Sequence, residues 1–152
     1  MTAEQMTCID FDTLNQLKSL EEIFILGGNM PFFPDKDCNN TAPEEDYRPL
    51  NLPYLRNLYL IDSNLIKAPN TSQMPKLEKL LLPQNAIKEI QGTPFLNNGQ
   101  LTVIVFFDND LTAAPNITHG CNNIEKLNLN NNSLTVIPEN YFLGCIASKI
   151  QE

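Results

Sequence analysis

The sequence predicts an α/β solenoid: a right-handed arc in which short parallel strands form a concave sheet and irregular, 3-10 or short helical segments form the convex side. Three observations predict this fold. The sequence repeats itself about every 23 residues, the apolar residues inside each repeat are spaced as in a strand, and prolines recur at one register of the repeat. Because one such unit cannot bury its apolar face alone, neighbouring units must cover it.

The repeat is clearest in the second two thirds of the chain. Four segments begin at Leu55, Leu77, Leu101 and Ile124, so that their starts lie 22, 24 and 23 residues apart. Each segment fits the pattern L-x-x-L-x-L-x-x-N-x-L, in which L stands for an apolar residue. A weaker copy begins at Leu20, 35 residues before Leu55, which predicts an insertion of about a dozen residues between the first two units.

We expect residues 1–152 to form a single domain. The repeat units divide this domain into consecutive segments. Residues 1–19 are expected to form an N-terminal cap or a partial repeat, and 20–54 form the first repeat with an acidic, proline-rich insertion. The later repeats are 55–76, 77–100, 101–123 and 124–147, and a truncated end follows at 148–152.

Within each unit, the x-L-x-L-x stretch is expected to be a strand whose apolar residues point inward. The inward pairs are Ile23 and Ile25, Leu58 and Leu60, Leu80 and Leu82, Ile104 and Phe106, and Leu127 and Leu129. Two further apolar positions fold back from the convex side: Met30, Leu65, Ile87, Leu111 and Leu134, then Phe33, Ala68, Ile90, Ala114 and Ile137. Helices fit poorly, because leucines at i, i+3 and i+5 do not share a helical face and Pro69, Pro115 and Pro138 would interrupt each helix.

This pattern resembles the leucine-rich-repeat family, in particular the extracellular-type repeats of Toll-like and Slit-like proteins, over roughly residues 17–152. In that family the asparagine of the motif lies inside the turn and bonds backbone groups of adjacent coils. The resemblance implies this structural role for Asn85, Asn109 and Asn132. Gly28 and Ser63 stand there in the first two units, so we expect the first coil to be looser or to act as a cap.

A second feature of the extracellular-type repeats is a spine of phenylalanines. Phe11 lies six residues before Leu17, and Phe95 and Phe142 occupy the corresponding place before the start of their next units. The phenylalanines at this place therefore resemble that spine.

The same resemblance places the candidate binding surface on the concave sheet, where outward residues alternate with buried ones. Two outward columns are apolar in four units and polar in the fifth: Phe24, Tyr59, Leu81, Val105 and Asn128, and Leu26, Ile61, Pro83, Phe107 and Asn130. A third column contains Gly27, Asp62, Gln84, Asp108 and Asn131. At a strand spacing of about 4.8 Å the apolar residues make a patch of several hundred Å², a size that generally marks a partner site.

We therefore predict a recognition module that binds a protein or an apolar ligand on the concave face. The expected contact residues are Phe24, Leu26, Tyr59, Ile61, Asp62, Leu81, Gln84, Val105, Phe107 and Asp108. The alternative is that a missing part of the parent chain, or a homodimer, covers the patch.

Other function classes are disfavoured. The net charge of −8 argues against a nucleic-acid partner, and no run of 18 apolar residues exists that could insert in a membrane. No catalytic residues, cofactor or metal site are predicted: the only histidine, His119, lies in a connecting loop, and Asp62 and Asp108 are two coils apart. The chain is therefore not expected to be an enzyme.

The four cysteines leave the redox compartment open. Cys8 and Cys38 flank the first coil and could either pair across it or remain free thiols. Cys121 and Cys145 lie 24 residues apart, one repeat period, so we expect them to stack as two small buried hydrophobes rather than to form a disulfide.

Sequons favour an extracellular or cell-surface ectodomain. Asn39, Asn70 and Asn116 are candidate glycosylation sites, and Asn70 and Asn116 share one register just after a proline. A fourth sequon, at Asn131, edges the concave face. The N-terminus does not resemble a signal peptide, so either the protein is intracellular or the start of a longer precursor is missing. The alternatives are a cytoplasmic scaffold that regulates a signalling enzyme, or the substrate-recruiting arm of a larger enzyme.

Overall fold

The structure, a computed structural model, describes residues 6–34, 38, 49–118, 121–143 and 145. These residues contain a five-stranded parallel sheet whose strand order equals the sequence order. The elements are a short helix α1 (Phe11–Asn15), strands β1 (Glu22–Leu26), β2 (Asn57–Ile61), β3 (Lys79–Leu81), β4 (Val103–Val105) and β5 (Lys126–Asn128), and a 3-10 helix at Cys121–Asn123. The predicted solenoid with one parallel sheet is confirmed.

The register of the sheet matches the repeat of the sequence at every step. Ile23 pairs with Leu58, Leu58 with Leu80, Leu80 with Ile104, and Ile104 with Leu127. A slip of one residue would turn each buried leucine to the outer face. Burial of the apolar column therefore holds the register, and the outward columns follow from it.

The core lies between the sheet and the convex segments. The inward strand residues Leu58, Leu60, Leu80, Leu82, Ile104 and Phe106 are at most 1% exposed, and so are Leu65, Ile87 and Leu111 from the opposite side. The residues that open the repeats, Leu55, Leu77, Leu101 and Ile124, are equally buried. Each coil thus buries its apolar residues against its neighbours, as stacked repeats require.

The asparagine ladder that the family resemblance implies is present. The Asn109 amide donates to the carbonyl oxygens of Leu82, at 2.9 Å, and Phe106, at 3.1 Å, while its oxygen accepts the backbone N–H of Ile87 at 3.1 Å. Asn85 accepts two backbone N–H groups of the preceding coil, and Asn132 accepts one. Each side chain therefore joins its own turn to the coil before it.

The N-terminal segment covers the first coil. The place that an asparagine side chain would fill at Gly28 is taken by the backbone of Met6: a Cβ on Gly28 would lie 2.6 Å from the Met6 carbonyl oxygen, which accepts the N–H of Asn29 at 2.8 Å. Asp10 then caps α1 by accepting the backbone N–H of Thr13. Hydrogen bonds from the side chain of Thr13 and from its backbone N–H lower the pKa of Asp10. The expected looseness of this coil is therefore offset by a cap.

The last coil departs from the sequence prediction. Ile137 was expected in the core but is 51% exposed, and Leu134 is only half-buried. The spine position is also shifted by one residue, because Phe142 is exposed while Tyr141 is buried and donates its hydroxyl proton to the Pro115 carbonyl at 2.6 Å. Burial raises the pKa of the Tyr141 phenol. These positions have an inner neighbouring coil but no outer one among the described residues.

Two disulfides close the chain on itself. Cys8 is bonded to Cys38, which lies 30 positions later in the sequence, and Cys121 is bonded to Cys145, which lies 24 positions later. The expectation of free thiols at Cys121 and Cys145 was wrong, although the expected burial is present, at 1% and 8% exposure. Equivalent positions on adjacent coils bring their Cα atoms to 5.2 Å, inside the range that a disulfide spans.

Candidate binding surface

The outward side of the sheet presents a continuous apolar surface, which we call the apolar stripe. It consists of Phe24, Leu26, Tyr59, Ile61, Leu81, Pro83, Val105 and Phe107. Leu26, Phe24 and Phe107 are 68%, 60% and 37% exposed, and the other five are half-buried. The structure brings all seven sequence-predicted apolar contact residues to one face, because parallel pairing keeps equivalent outward positions side by side.

Contacts within the stripe explain its graded exposure. The rings of Phe24 and Tyr59 meet edge to face, with centroids 5.7 Å apart and planes at 65°. Toward β4 the outward residues lie between neighbours on both sides, whereas β1 is the first strand of the sheet. The stripe is therefore most exposed at β1. Phe107, which lies just beyond the end of β4, is also exposed.

The stripe ends at β5. The equivalent positions there are Asn128, which is half-buried, and Asn130, which is exposed. The side chain of Asn128 accepts the backbone N–H of Asn130 at 3.0 Å, so the two residues form a local turn-like bond. The apolar surface consequently spans four strands and meets a polar boundary at the fifth.

The edge of the stripe at the carboxyl ends of the strands, which we call the acidic edge, is formed by Asp62, Gln84, Asp108 and Asn131. All four adopt left-handed backbone conformations, with φ of 52°, 56°, 58° and 56°, and Gly27 does so at 77° in the first coil. The chain leaves the sheet at this position in every coil, which explains why Gly, Asp and Asn prevail there. The sequence placed this column correctly but did not indicate its left-handed backbone.

The carboxylates of the acidic edge are separate from one another. Asp62 follows β2 and Asp108 follows β4, so one whole strand lies between them. Asp108 accepts a hydrogen bond from the side-chain amide of Asn131, while Asp62 is exposed. The two carboxylates are therefore too far apart to share a proton, and cations can reach them from outside the chain.

The opposite edge of the stripe has mixed charge. It is formed by Glu22, Asn57, Lys79, Val103 and Lys126, which are paired in register across the sheet. Asn57 donates to the Glu22 carboxylate at 3.1 Å, and beyond this row Arg56 pairs with Glu78. Lys79 and Lys126 are exposed. The stripe therefore lies between an acidic edge and an edge that is basic toward β5.

Within the described ranges, no group of three or more His, Cys, Asp or Glu side chains is placed to hold a metal ion. His119 lies outside the described residues. What the concave face offers is an apolar surface with charged borders, the usual composition of a recognition site.

The convex side carries an open groove of about 1060 Å³ between the second and third repeats, lined in part by Lys67, Asn70, Lys88, Glu89 and Gln91. Nearby, Asn98 is fully buried and bonds the hydroxyl of Thr71 at 2.7 Å. The repeat pattern gives no signal for Asn98, because this residue stands in a column otherwise occupied by Met74, Cys121 and Cys145. Its role is to tie two convex segments together.

Two of the three sequons proposed from the sequence fall in described parts of the chain. The Asn70 and Asn116 side chains each accept the backbone N–H two residues on, at 3.1 Å from Ser72 and 3.0 Å from Thr118. The middle residue of each sequon, Thr71 or Ile117, is buried. Asn70 itself is half-buried and Asn116 is exposed, and both lie on the convex side. Asn39 lies outside the described residues.

The helices in the described part of the chain are few and short. Within the described residues, none has both the length and the apolar character needed to cross a bilayer.

Comparison with known proteins identifies the fold. No protein-family model and no curated protein matches the sequence. A leucine-rich-repeat protein of Leptospira interrogans is similar in structure, with a TM-score of 0.60 and 21% identity over 90% of this chain and 39% of that one. Toll-like receptor 13, solved in complex with ssRNA13, has a TM-score of 0.62 and 22% identity over 96% of this chain and 23% of that one. The chain is thus a leucine-rich-repeat solenoid, and it spans less than half the length of either neighbour.

Proposed function

We propose that this protein is a recognition module that binds a partner protein through the apolar stripe. The observation that carries the proposal is the exposure of Leu26, Phe24 and Phe107, at 68%, 60% and 37%, within one contiguous apolar surface. Apolar surface of several hundred Å² is costly to leave in water, at about 25 cal/mol per Å². A partner that covers it gains this free energy on binding.

Asp62, Gln84 and Asp108 are proposed as the polar rim that sets the orientation of the partner. Charged residues at a rim contribute more to specificity and association rate than to affinity. The Asp108 carboxylate already accepts a hydrogen bond from the Asn131 amide, whereas Asp62 is exposed. The carboxylate of Asp62 is therefore open to a cationic group of the partner.

A single-stranded nucleic acid is the competing ligand class, since one structural neighbour was solved with ssRNA13. Charge disfavours it here. The chain has a formal net charge of −8, and the stripe is bordered by three carboxylates, of Glu22, Asp62 and Asp108, against two lysines, whereas binding a phosphate backbone needs a basic surface. We keep this class as an outcome of the test below.

The compartment that we propose is extracellular or cell-surface. All four cysteines of the sequence are in disulfides, Cys8 with Cys38 and Cys121 with Cys145. Disulfides form and persist in oxidising compartments and are rare in the cytosol. A cytoplasmic scaffold would be expected to hold these four residues as thiols.

We further propose that Asn70 and Asn116 carry N-linked glycans. Both lie on the convex side, so a glycan at either would leave the apolar stripe open. A glycan at Asn70 would also stand at the convex groove, which contains this residue, and would hinder a ligand there. Glycans on the convex side thus favour the concave face as the partner site.

Site-specific photo-crosslinking in the cells that produce the protein tests this function. A benzoylphenylalanine introduced at Ile61, on the stripe, should give a covalent adduct with one defined protein. The same residue introduced at Leu96, which is 53% exposed outside the sheet, serves as the matched control and should not give that adduct. Adding Tyr59→Ser and Phe107→Ser should abolish the adduct from position 61, because both substitutions remove apolar contact area.

Each outcome of this experiment decides between partners. An adduct of twice the chain mass would identify a second copy, and one removed by ribonuclease would identify a nucleic acid; either would overturn the proposed protein partner. An adduct that survives the Tyr59→Ser and Phe107→Ser substitutions would show that the stripe is not the binding surface. The double variant should retain a cooperative unfolding transition, since surface substitutions usually change stability by less than about 1 kcal/mol.

A further inference from the structure

We propose that the segment received by the apolar stripe is an amphipathic α-helix that crosses the strands and turns a Lys- or Arg-bearing edge toward Asp62 and Asp108. The proposal rests on the proposed function, because it names the chemistry of the partner at that same surface. It follows from the spacing, the width and the charge of the described residues.

The spacing of the stripe matches a helix better than an extended peptide. Its apolar residues recur once per strand from β1 to β4, which is three steps of about 4.8 Å, or about 14 Å. A helix lying across the strands presents one apolar position per turn of about 5.4 Å, so three turns advance about 16 Å. An extended peptide presents alternate residues about 6.6 Å apart and advances about 20 Å. Only the helix stays in phase with the four strands.

The width of the stripe supports the same occupant. Each strand contributes two outward apolar residues, for example Phe24 and Leu26 on β1, which lie two residues or about 6.6 Å apart. The apolar side of an amphipathic helix is likewise two residues wide, since positions i and i+3 or i+4 share it. Asn128 and Asn130 end the apolar surface at β5, which limits the contact to about three turns.

The charges at the two edges fix how the helix is rotated about its own axis. Asp62 and Asp108 lie on the same edge with one strand between them, a separation of about 10 Å. Two turns of a helix span about 11 Å, so basic residues at i and i+7 would face both carboxylates. On the other edge, Lys79 and Lys126 are also separated by one strand, whereas Glu22 lies at β1. Acidic residues on the far side of the same helix therefore suit the part of this edge toward β5. The complement of the stripe is therefore an apolar ridge with one basic and one acidic border.

Selection from a random peptide library tests the proposal. The probe is an mRNA-display library of peptides of about 16 residues, long enough for four helical turns, presented to the whole chain with its disulfides intact. Peptides that bind should be counter-selected on the Tyr59→Ser, Phe107→Ser double variant. We expect the enriched sequences to carry apolar residues at i, i+3 or i+4, i+7 and i+11, with Lys or Arg seven residues apart on one flank.

The charge part of the proposal has its own readout. Asp62→Asn and Asp108→Asn should each weaken an enriched peptide about threefold, as expected for an exposed ion pair, and should reduce the salt dependence of binding. Glu89→Gln removes the same charge from an exposed position of the convex groove and should leave the affinity unchanged.

The outcomes separate this inference from the proposed function. Enriched peptides that need the stripe but alternate with a period of two, or carry no basic flank, would overturn the helix and leave protein recognition in place. Peptides that bind the double variant as well as the native chain would overturn both proposals. Failure to enrich any sequence above background would overturn the helical occupant alone, because a folded surface could still be the partner.

Discussion

Asn109 shows how a single side chain connects two coils of this solenoid. Its amide donates to two carbonyl oxygens, one from its own turn and one from the coil before it, and its oxygen accepts the N–H of Ile87. The residue is only 7% exposed, so water cannot replace these bonds. Because a repeated turn leaves the same backbone groups unpaired in each coil, the same residue type recurs at Asn85 and Asn132.

Replacing this residue tests the role of the ladder. Asn109→Ala should lower the free energy of unfolding by about 3 kcal/mol, because it leaves buried backbone groups of Leu82, Phe106 and Ile87 without a partner. Asn122→Ala, at an exposed position of the 3-10 helix, is the matched control and should change it by less than about 0.5 kcal/mol. Urea unfolding followed by circular dichroism measures both, and equal effects would refute the structural role of Asn109.

At the scale of the element, each coil depends on the neighbours that cover it. Leu111 and Leu134 occupy the same register of successive repeats, yet Leu111 is 0% exposed whereas Leu134 is half-buried. Neither the repeat pattern nor the residue type distinguishes the two positions. The difference comes from stacking, since Leu111 lies between two described coils and Leu134 has one only on its inner side.

This asymmetry gives a matched pair of substitutions. Leu111→Ala should lower the free energy of unfolding by about 3 kcal/mol, since it leaves a cavity in a fully packed position. Leu134→Ala should cost about 1 kcal/mol, because water already reaches part of this side chain. Chemical denaturation of the two variants under identical conditions measures the difference. Equal losses would show that the last coil is as well covered in solution as the fourth.

The two sides of the whole molecule differ in the residues that they carry. The sheet presents the apolar stripe, while the sequons at Asn70 and Asn116 and the disulfide between Cys121 and Cys145 lie outside the strands. A disulfide that closes a loop of 24 residues stabilises a fold by about 3 kcal/mol. Because Cys121 and Cys145 are not strand residues, this disulfide adds no covalent constraint between the strands of the concave face.

Expression through the secretory pathway of eukaryotic cells, behind a secretion signal, tests the proposed compartment. Asn70→Gln and Asn116→Gln should each remove one glycan, seen as a single step in mobility that matches treatment with peptide N-glycosidase. Asn131→Gln is the control, because the Asn131 amide is bonded to Asp108 at the rim of the concave face, and it should leave the pattern unchanged. Secretion without any glycan at Asn70 and Asn116 would contradict the glycosylation proposal, and free thiols in the secreted chain would contradict the disulfides.

The sequence by itself determined the architecture and the composition of the concave face. Apolar residues two apart in a repeat of about 23 residues fix which side chains of each strand point inward, so the repeat alone places Tyr59, Leu81 and Val105 side by side. The asparagine ladder was implied by the resemblance of these units to leucine-rich repeats. Both are properties of one unit that repetition carries to the next.

Only the tertiary structure decided what depends on distances between coils. It joined Cys121 to Cys145, exposed Ile137, buried Tyr141 in place of Phe142, and filled the space beside Gly28 with the backbone of Met6. The physical reason is that a repeat specifies the direction of each side chain, while pairing and burial depend on which atoms of other coils come within a few Å of it.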